Sequence, residues 1–225
     1  MREIPILFSA PMMRANLAGT KDVTRRVVKP QPYYRVRTNG RGVWFWERSK
    51  SDLREYINWD GQTCEELMRA GMPEFCRYGK PGDVLWAKET WRPFWHPELY
   101  CCVQYASDSS YRKPEFTNEE RGHRFADMCE QSGDNAEPWH PSIHMWREMA
   151  RFTAPVVSVR IERLQEITEE DCAREGIATH FNGHAISGLR HEYAALWDSI
   201  NGEGSWAANP WVWRIEYRNP HKEYA

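Results

Sequence analysis

Hydrophobic and polar residues alternate along short segments of the chain, and this alternation predicts β-strands. The pattern is clear in residues 3–9, 155–164 and 211–218. Residues 23–28 are rich in β-branched side chains, and residues 79–91 place a turn in front of a further apolar segment. A period of two puts one set of side chains against a core and the other towards solvent. The five segments therefore predict strands that are buried on one face.

Three segments predict helices instead. One begins at Pro11 and ends at Gly19, a residue type that suits the end of a helix. A second, residues 168–176, opens with a capping pattern at Thr168, carries acidic residues in its first turn and ends at a glycine. The third, residues 191–200, has its apolar residues on one stripe. Short strands with a few short helices predict an α+β fold, a small β-barrel rather than a parallel sheet.

Two long stretches interrupt this pattern. Residues 30–78 contain a strand-like segment, GVWFWE, and a short helical one, CEELMRAG, whereas residues 92–150 are rich in proline and predict irregular structure. Loops of this length are uncommon in compact domains and are usually functional or partly disordered. We therefore predict a single domain over residues 1–225, with short flanking helices and two insertions, at about 30–78 and about 92–150.

The charge balance argues against one class of partner. The chain has 225 residues, of which 41% are hydrophobic, and a formal net charge of −2. A protein that binds long duplex DNA usually carries a basic excess, because phosphate neutralisation supplies most of its non-specific affinity. A local basic strip nevertheless suits a nucleotide or a short single strand, and its members are Lys21, Arg25, Arg26, Lys29, Arg35, Arg37 and Arg41. The twelve tryptophans suit either a core or stacking on a planar ligand.

Cysteine usage and hydropathy predict the compartment. None of the six cysteines forms a C-x-x-C pair. The first residues lack the basic start and long apolar run of a secretory signal, and no stretch approaches the roughly 18 apolar residues of a membrane span. We therefore expect a cytoplasmic protein with reduced thiols and no membrane partner.

Histidine spacing offers a weak indication of a metal site. His140 and His144 are four residues apart, as are His180 and His184, and on a helix this spacing can bind zinc. However, a proline lies inside the first pair and a glycine inside the second, and no cysteine pair completes either set. The chain also lacks the G-x-x-x-x-G-K-[ST] loop, the G-x-G-x-x-G turn and the G-x-S-x-G elbow. We predict neither a metal nor another cofactor.

Lys21 and Thr24, which follow the first predicted helix, offer a base and a nucleophile. A threonine hydroxyl attacks well only when a base removes its proton, and a lysine serves as that base only when its pKa falls far below about 10.4. Burial and neighbouring cations such as Arg25 and Arg26 act in that direction. On a straight strand the two side chains would point to opposite faces, so they meet only if residues 20–23 form a turn. The competing interpretation is a solvated basic edge.

These residues form a recognisable motif. Gly19, Lys21, Thr24 and Arg26 fit the pattern G-x-K-x-x-T-x-R, which resembles the signature of the ASCH family within the PUA-like superfamily. The resemblance implies a PUA-like β-barrel.

Further segments extend the resemblance over most of the chain, in the order that the family shows. KPGDVLWAKETW looks like the G-D-x-L strand of the family, and PVVSVRIERLQEIT with EEDCAREGI looks like its strand followed by a glutamate-bearing helix. The closing WVWRIEYR looks like its terminal strand. The longer arrangement, with the two insertions, is similar to prophage-borne ASCH proteins.

The resemblance implies an activity and the residues that carry it. Members of this fold include bacterial N4-acetylcytidine amidohydrolases, which use a lysine as base, a threonine as nucleophile and a glutamate as proton donor. The first two roles fall on Lys21 and Thr24. The third falls on Glu175, with Glu170 and Glu169 as alternatives because the match covers only a short helix.

Substrate contacts follow from the same comparison. Arg26, or a backbone amide, would stabilise the oxyanion, and Arg25 would be a further substrate-binding residue. Trp86, Trp91 or another aromatic residue would stack on the pyrimidine. The expected partner is a small nucleoside, with RNA as a further candidate and the oligomeric state open. Asp22, which follows Lys21, departs from the family pattern. An ion pair between the two side chains would keep the Lys21 amine protonated and so oppose its role as a base.

Two other functions fit the same motif. PUA-like domains commonly bind RNA or modified bases without chemistry, and the basic strip with its interleaved aromatics would serve that purpose. An ASCH ribonuclease would use the same basic pocket to position a phosphodiester. A fold alone does not choose among these three functions.

Overall fold

The computed structural model describes residues 1–40, 42–49, 51–57, 64–132, 138–178, 180–181, 184–185 and 188–224. The chain divides into two compact units. The first unit contains Met1–Lys21, Asp83–Pro155 and Arg218–Ala225, and the second contains Asp22–Gly82 and Val156–Tyr217.

Strands and helices alternate irregularly along the described residues. The strands are β1 (Glu3–Leu7), β2 (Val23–Val27), β3 (Tyr33–Val36), β4 (Gly42–Ser49), β5 (Asp52–Ile57), β6 (Val84–Lys88), β7 (Trp91–His96), β8 (Tyr100–Tyr105), β9 (Tyr111–Arg112), β10 (Thr153–Arg163), β11 (His180–Phe181), β12 (His184–Ala185) and β13 (Trp211–Tyr217). The α-helices are α1 (Ala10–Leu17), α2 (Cys64–Gly71), α3 (Glu119–Ser132), α4 (Glu169–Arg174) and α5 (Leu189–Asn201). Short 3-10 helices cover Met72–Phe75, Ser142–His144, Arg147–Met149 and Leu164–Glu166.

The first unit contains two sheets. Strand β1 pairs in parallel with β6, and β6 pairs antiparallel with the first residues of β10. The second sheet is antiparallel, in the order β7-β8-β9. Helix α3 packs on it, and the buried cluster there consists of Trp91, Val103, Tyr105, Phe125, Cys129, Met145 and Met149.

This second sheet corrects the prediction for residues 92–150. The prolines of that stretch predicted irregular structure, but it contains most of β7, β8 and β9, together with α3. Pro93 is accommodated because β7 is an edge strand of its sheet, where a residue without an N–H group is tolerated. Burial of the aromatic cluster on this sheet outweighs the local turn signals.

In the second unit β13 lies between β10 and β2, and both pairings are antiparallel. One face of these strands is covered by α4 and α5, whose buried cluster with the sheet consists of Leu164, Ile167, Cys172, Leu189, Tyr193, Trp197 and Val212. The antiparallel sheet β3-β4-β5 covers the other face. There Trp44 meets Trp211 at 5.4 Å and Trp46 meets Trp213 at 5.9 Å between ring centroids.

The coarse fold prediction is confirmed: the chain is α+β, with several sheets and short helices. The predicted strands near residues 3–9, 23–28, 155–164 and 211–218 correspond to β1, β2, β10 and β13. In neither unit do the described strands close into a barrel. None of the described helices combines the length and apolar character that crossing a membrane requires.

Candidate functional site

Lys21 lies in the first unit, directly after α1, and its side chain is fully buried. The helix ends at Gly19, whose φ of +72° favours glycine, and a Cβ there would lie 2.3 Å from the carbonyl oxygen of His221. Asn219 donates its Nδ2–H to the carbonyl oxygen of Lys21 at 2.6 Å. The Lys21 Nζ lies 5.9 Å from the ring centroid of Phe8. Any other residue at this first motif position would therefore clash with the backbone of His221.

Thr24 lies on β2 in the second unit and is 2% exposed. It pairs with Ile215 of β13, and Arg26 pairs with Trp213. Because side chains alternate along a strand, Thr24 and Arg26 share the face that β3-β4-β5 covers, and Arg25 points to the face that α4 and α5 cover. The first insertion therefore packs on the strand face that carries the predicted nucleophile.

Arg25 is the centre of a buried ionic cluster, which we call the Arg25 cluster. Its guanidinium contacts Glu162 at 2.6 Å and Glu175 at 3.2 Å, and it also pairs with Asp171. Arg214 completes the cluster through a 2.8 Å ion pair with Asp171. All five residues are at most 6% exposed. The cluster thus joins β2, β10, β13 and α4 through charged side chains.

Glu175 caps the C-terminal end of α4, and the local sequence explains why it is held there. At the start of the helix, the Thr168 hydroxyl accepts the backbone N–H of Asp171 at 3.1 Å, as the capping pattern predicted. At the end, Gly176 has a φ of +89° and lets the chain turn away. The Tyr193 hydroxyl of α5 donates to Glu175 Oε1 at 3.3 Å. Glu175 is therefore fixed by groups from α5 and β2.

The alternative glutamates lie in a different environment. Glu169 and Glu170 are exposed in the first turn of α4, whereas Glu175 is 3% exposed. Of the three glutamates considered as proton donor, Glu175 is the one that other groups of the described structure enclose.

The cluster shifts the titration of its members. Burial acts to lower the pKa of Arg25, but the charges of Glu175 and Glu162 raise it, so the guanidinium stays protonated. For Asp171 burial acts to raise the pKa, yet the hydrogen bond from Arg214 and the charge of Arg25 bring it down to about 2. Burial, with the charge of Glu175, holds the pKa of Tyr193 well above its usual range. Tyr193 therefore remains a neutral hydrogen-bond donor.

Asp22, the departure from the family pattern, belongs to the second unit. Its carboxylate accepts from Arg174 Nε at 2.9 Å, and its backbone N–H donates to the Arg174 carbonyl oxygen at 3.0 Å. Asp22 therefore ties the beginning of β2 to the end of α4.

The two predicted stacking residues lie in the first unit. Trp86, on β6, is 8% exposed, and the side chains of Lys88 and Arg147 lie near its ring. Trp91, on β7, is 2% exposed and stacks on the ring of His140 at 4.7 Å between centroids. Both tryptophans belong to the first unit, whereas Thr24, Arg25, Arg26 and Glu175 belong to the second.

The basic strip does not form one exposed surface. Lys21 and Arg25 are buried, and Arg26 is half-buried. Lys29, Arg35 and Arg37 are exposed, and Arg37 pairs with Glu55. Arg41 lies outside the described residues.

Two histidine pairs were considered as metal ligands. Within the described residues, no three His, Cys, Asp or Glu side chains are grouped so that they could hold a metal ion. The side chains of His180 and His184 lie outside the described part of the chain.

The sequence analysis did not identify three members of the Arg25 cluster, Glu162, Asp171 and Arg214. It also did not identify Tyr193, which donates a hydrogen bond to the cluster at Glu175. Glu162 and Arg214 occupy the polar positions of the alternating strands, which predicted exposure to solvent. They are buried because α4 and α5 cover that face, where Arg214 pairs with Asp171 of α4 and Glu162 pairs with Arg25 of β2. Polar residues of both signs at these positions, next to an acidic helix, are the signal that would have identified the cluster.

Comparison of the chain with protein-family models, curated proteins and solved structures found no match. A functional assignment therefore depends on the residues and their surroundings.

Proposed function

We propose that the chain is an ASCH-type, PUA-like amidohydrolase that removes an N4-acyl group from cytidine-type nucleosides in the cytoplasm. Lys21 acts as the base, Thr24 as the nucleophile and Glu175 as the proton donor. The reaction needs no cofactor.

The observation that carries the proposal is the complete burial of Lys21. Lysine is among the residues that are almost never fully buried. A buried lysine is typical of sites where the neutral amine serves as a base, because loss of water disfavours the ammonium form. Thr24 and Glu175, at 2% and 3% exposed, are likewise enclosed although both are polar.

The proposed reaction has two steps. In the first, the Lys21 amine takes the proton of Thr24 Oγ1, which attacks the acyl carbonyl carbon, and the bond from that carbon to N4 breaks as N4 receives the proton of Glu175. In the second, water gives a proton to Glu175 and its hydroxide attacks the acyl-threonine ester. The released Thr24 oxygen recovers its proton from Lys21, so that the products are cytidine and a carboxylic acid.

The proposal assigns the donor role to Glu175, which contacts Arg25 on the α4/α5 face of β2, the face opposite to that of Thr24. The carboxylate that remains after donation is stabilised by the Arg25 guanidinium at 3.2 Å and by the Tyr193 hydroxyl at 3.3 Å. Arg26, on the same strand face as Thr24, is the proposed oxyanion contact.

The test is a panel of nucleosides with different N4-acyl groups, incubated with wild type, Lys21→Met and Glu175→Gln. We expect wild type to release cytidine from at least one member of the panel. Loss of a positioned base or acid should lower kcat by roughly 100-fold or more.

Two results would contradict the proposal. One is no cleavage of any member of the panel by a folded wild type, and the other is full activity in Lys21→Met. A parallel experiment uses RNA in place of the nucleosides. Strongly salt-dependent RNA binding without turnover would identify a binding module. RNA cleavage that is lost in Lys21→Met would identify a nuclease.

A further inference from the structure

The first unit contains a cavity of about 490 Å³ that the proposed reaction does not use. It lies beside the edge strand β7 and helix α3, and most of its lining comes from the second insertion. The residues that matter for its chemistry are Lys88, Trp91, Arg124, His140, His144 and Trp146. The remaining lining is aliphatic or thioether, and no carboxylate of the described residues contributes to it.

Two nitrogen atoms on this lining lack partners. Trp91 Nε1 and His140 Nε2 are buried and have no hydrogen-bond partner among the described residues. Their rings are stacked at an interplanar angle of 20°, and a pair of backbone hydrogen bonds, at 2.6 and 3.2 Å, joins the two residues. Buried polar groups are normally satisfied, because leaving one unpaired costs free energy. Because neither nitrogen is exposed to solvent, both belong to the wall of the cavity rather than to its accessible surface.

Two cations line the same cavity. Lys88 Nζ donates to the Ile143 carbonyl oxygen at 2.8 Å, and the Arg124 guanidinium lies 5.8 Å from the Trp146 ring centroid. Neither forms an ion pair with a carboxylate in the described part of the chain, unlike the paired arginines of the Arg25 cluster. The cavity therefore combines uncompensated positive charge with aromatic walls.

We propose that this cavity binds a nucleotide, with the base against the rings of Trp146 and His140 and the phosphate at Lys88 and Arg124. Aromatic side chains suit every base, because each has a π-face, and lysine and arginine are the usual partners of phosphate. The volume lies within the roughly 300–1,000 Å³ of small-molecule sites. A phosphate alone would leave the aromatic walls without a function, and a neutral aromatic ligand would leave the two cations uncompensated.

This inference does not depend on the proposed amidohydrolase activity, because every lining residue belongs to the first unit and none is assigned a role in that reaction. The nucleotide can be a free mononucleotide or one residue of a single-stranded RNA, and the experiment separates these sources.

The experiment is calorimetric titration of the full chain with adenosine and cytidine 5′-monophosphates, the two nucleosides, inorganic phosphate and a short single-stranded RNA. The variants are Arg124→Gln and Lys88→Gln. Lys113→Gln, which removes an exposed charge outside the cavity, is the matched control. We expect saturable binding of a monophosphate, or of the RNA, with nucleoside and phosphate each at least about tenfold weaker.

Each cavity variant should weaken that binding at least about fivefold, and Lys113→Gln should leave it within about twofold. Circular dichroism of every variant checks the fold. Because Arg124 is exposed, we expect Arg124→Gln to leave the fold unchanged. Binding of the RNA but not of the monophosphates assigns the site to RNA. Absence of saturable binding by either, or binding that Arg124→Gln and Lys88→Gln leave unchanged, overturns the inference.

Discussion

At the scale of single residues, Arg25 differs from its neighbour Arg26 in what surrounds it. Arg25 is 3% exposed and contacts three carboxylates, whereas Arg26 is half-buried on the opposite strand face. Burying a charge is costly unless it is paired, and removing one partner leaves the others uncompensated. Arg25 therefore compensates three buried carboxylates of the second unit.

We predict that Arg25→Met destabilises the fold by about 3–5 kcal/mol, because Glu162, Asp171 and Glu175 lose their shared cation. Urea denaturation at neutral pH measures this effect. Arg35→Met is the matched control, since Arg35 is exposed on β3 and should change the free energy of unfolding by no more than about 0.5 kcal/mol. A loss below about 1 kcal/mol for Arg25→Met would contradict the role that we assign to the cluster.

The cysteines give a second prediction at this scale. Burial raises the pKa of Cys76, Cys129 and Cys172 to about 12, and that of Cys102 to about 11. Because the thiolate is the reactive form, these four thiols should alkylate at pH 8 at least about 100-fold more slowly in the folded protein than in urea. Among the five cysteines whose side chains are described, the half-buried Cys101 should react first. Peptide mass spectrometry after timed alkylation measures each site, and equal rates at all cysteines of the folded protein would disprove the prediction.

At the scale of elements, Asp171 ties α4 to two strands. It contacts Arg25 of β2 and Arg214 of β13. Its pKa, about 2 in the folded protein, lies below its ordinary value of 3.8. A carboxylate whose pKa is lower in the folded than in the unfolded protein stabilises the fold at pH values above its unfolded pKa. That stabilisation is lost as the pH falls through the folded pKa.

We therefore predict that wild type loses about 2 kcal/mol of stability through Asp171 between about pH 4 and pH 2. Urea denaturation at a series of pH values checks this. Asp171→Asn should be less stable than wild type at pH 6 and should fall less steeply below pH 4. Parallel curves for the two proteins over that range would show that Asp171 does not carry the acid sensitivity.

The elements also show how far sequence patterns can predict this fold. The alternation of hydrophobic and polar residues predicted β10 and β13, and the capping pattern at Thr168 predicted α4. Both predictions were possible because these signals arise from the local backbone. The strands β7 and β8 were missed, because burial of residues such as Trp91 depends on α3, which is distant in sequence. The burial of Glu162 on β10 and of Arg214 on β13 was missed for the same reason, since the covering helices decide which residues meet solvent.

For the candidate site, the sequence predicted residue types but not their partners. Lys21, Thr24 and Glu175 came from a motif, and each is enclosed. The contact between Arg25 and Glu175 joins residues that are 150 positions apart, a separation at which spacing has no predictive value. Trp91 was expected to stack on a pyrimidine, and its described partner is the ring of His140.

At the scale of the whole molecule, the two units carry different chemistry. The second unit holds Thr24 and the Arg25 cluster, in which two arginines meet three carboxylates, and the first holds Lys21 and a cavity whose two cations form no ion pair with a described carboxylate. We accordingly propose acyl transfer at Lys21, Thr24 and Glu175, and nucleotide binding at the cavity lined mostly by the second insertion.

The central claim is that Thr24 forms the acyl intermediate, and the rate of cytidine release from N4-acetylcytidine by matched threonine variants tests it most directly. Thr24→Ala should lose at least about 100-fold in kcat, and Thr24→Ser should retain measurable activity through its hydroxyl. Thr20→Ala, which removes the hydrogen bond from the Thr20 hydroxyl to the Ala15 carbonyl oxygen, should match wild type in kcat. A folded Thr24→Ala that releases cytidine as fast as wild type would contradict the account.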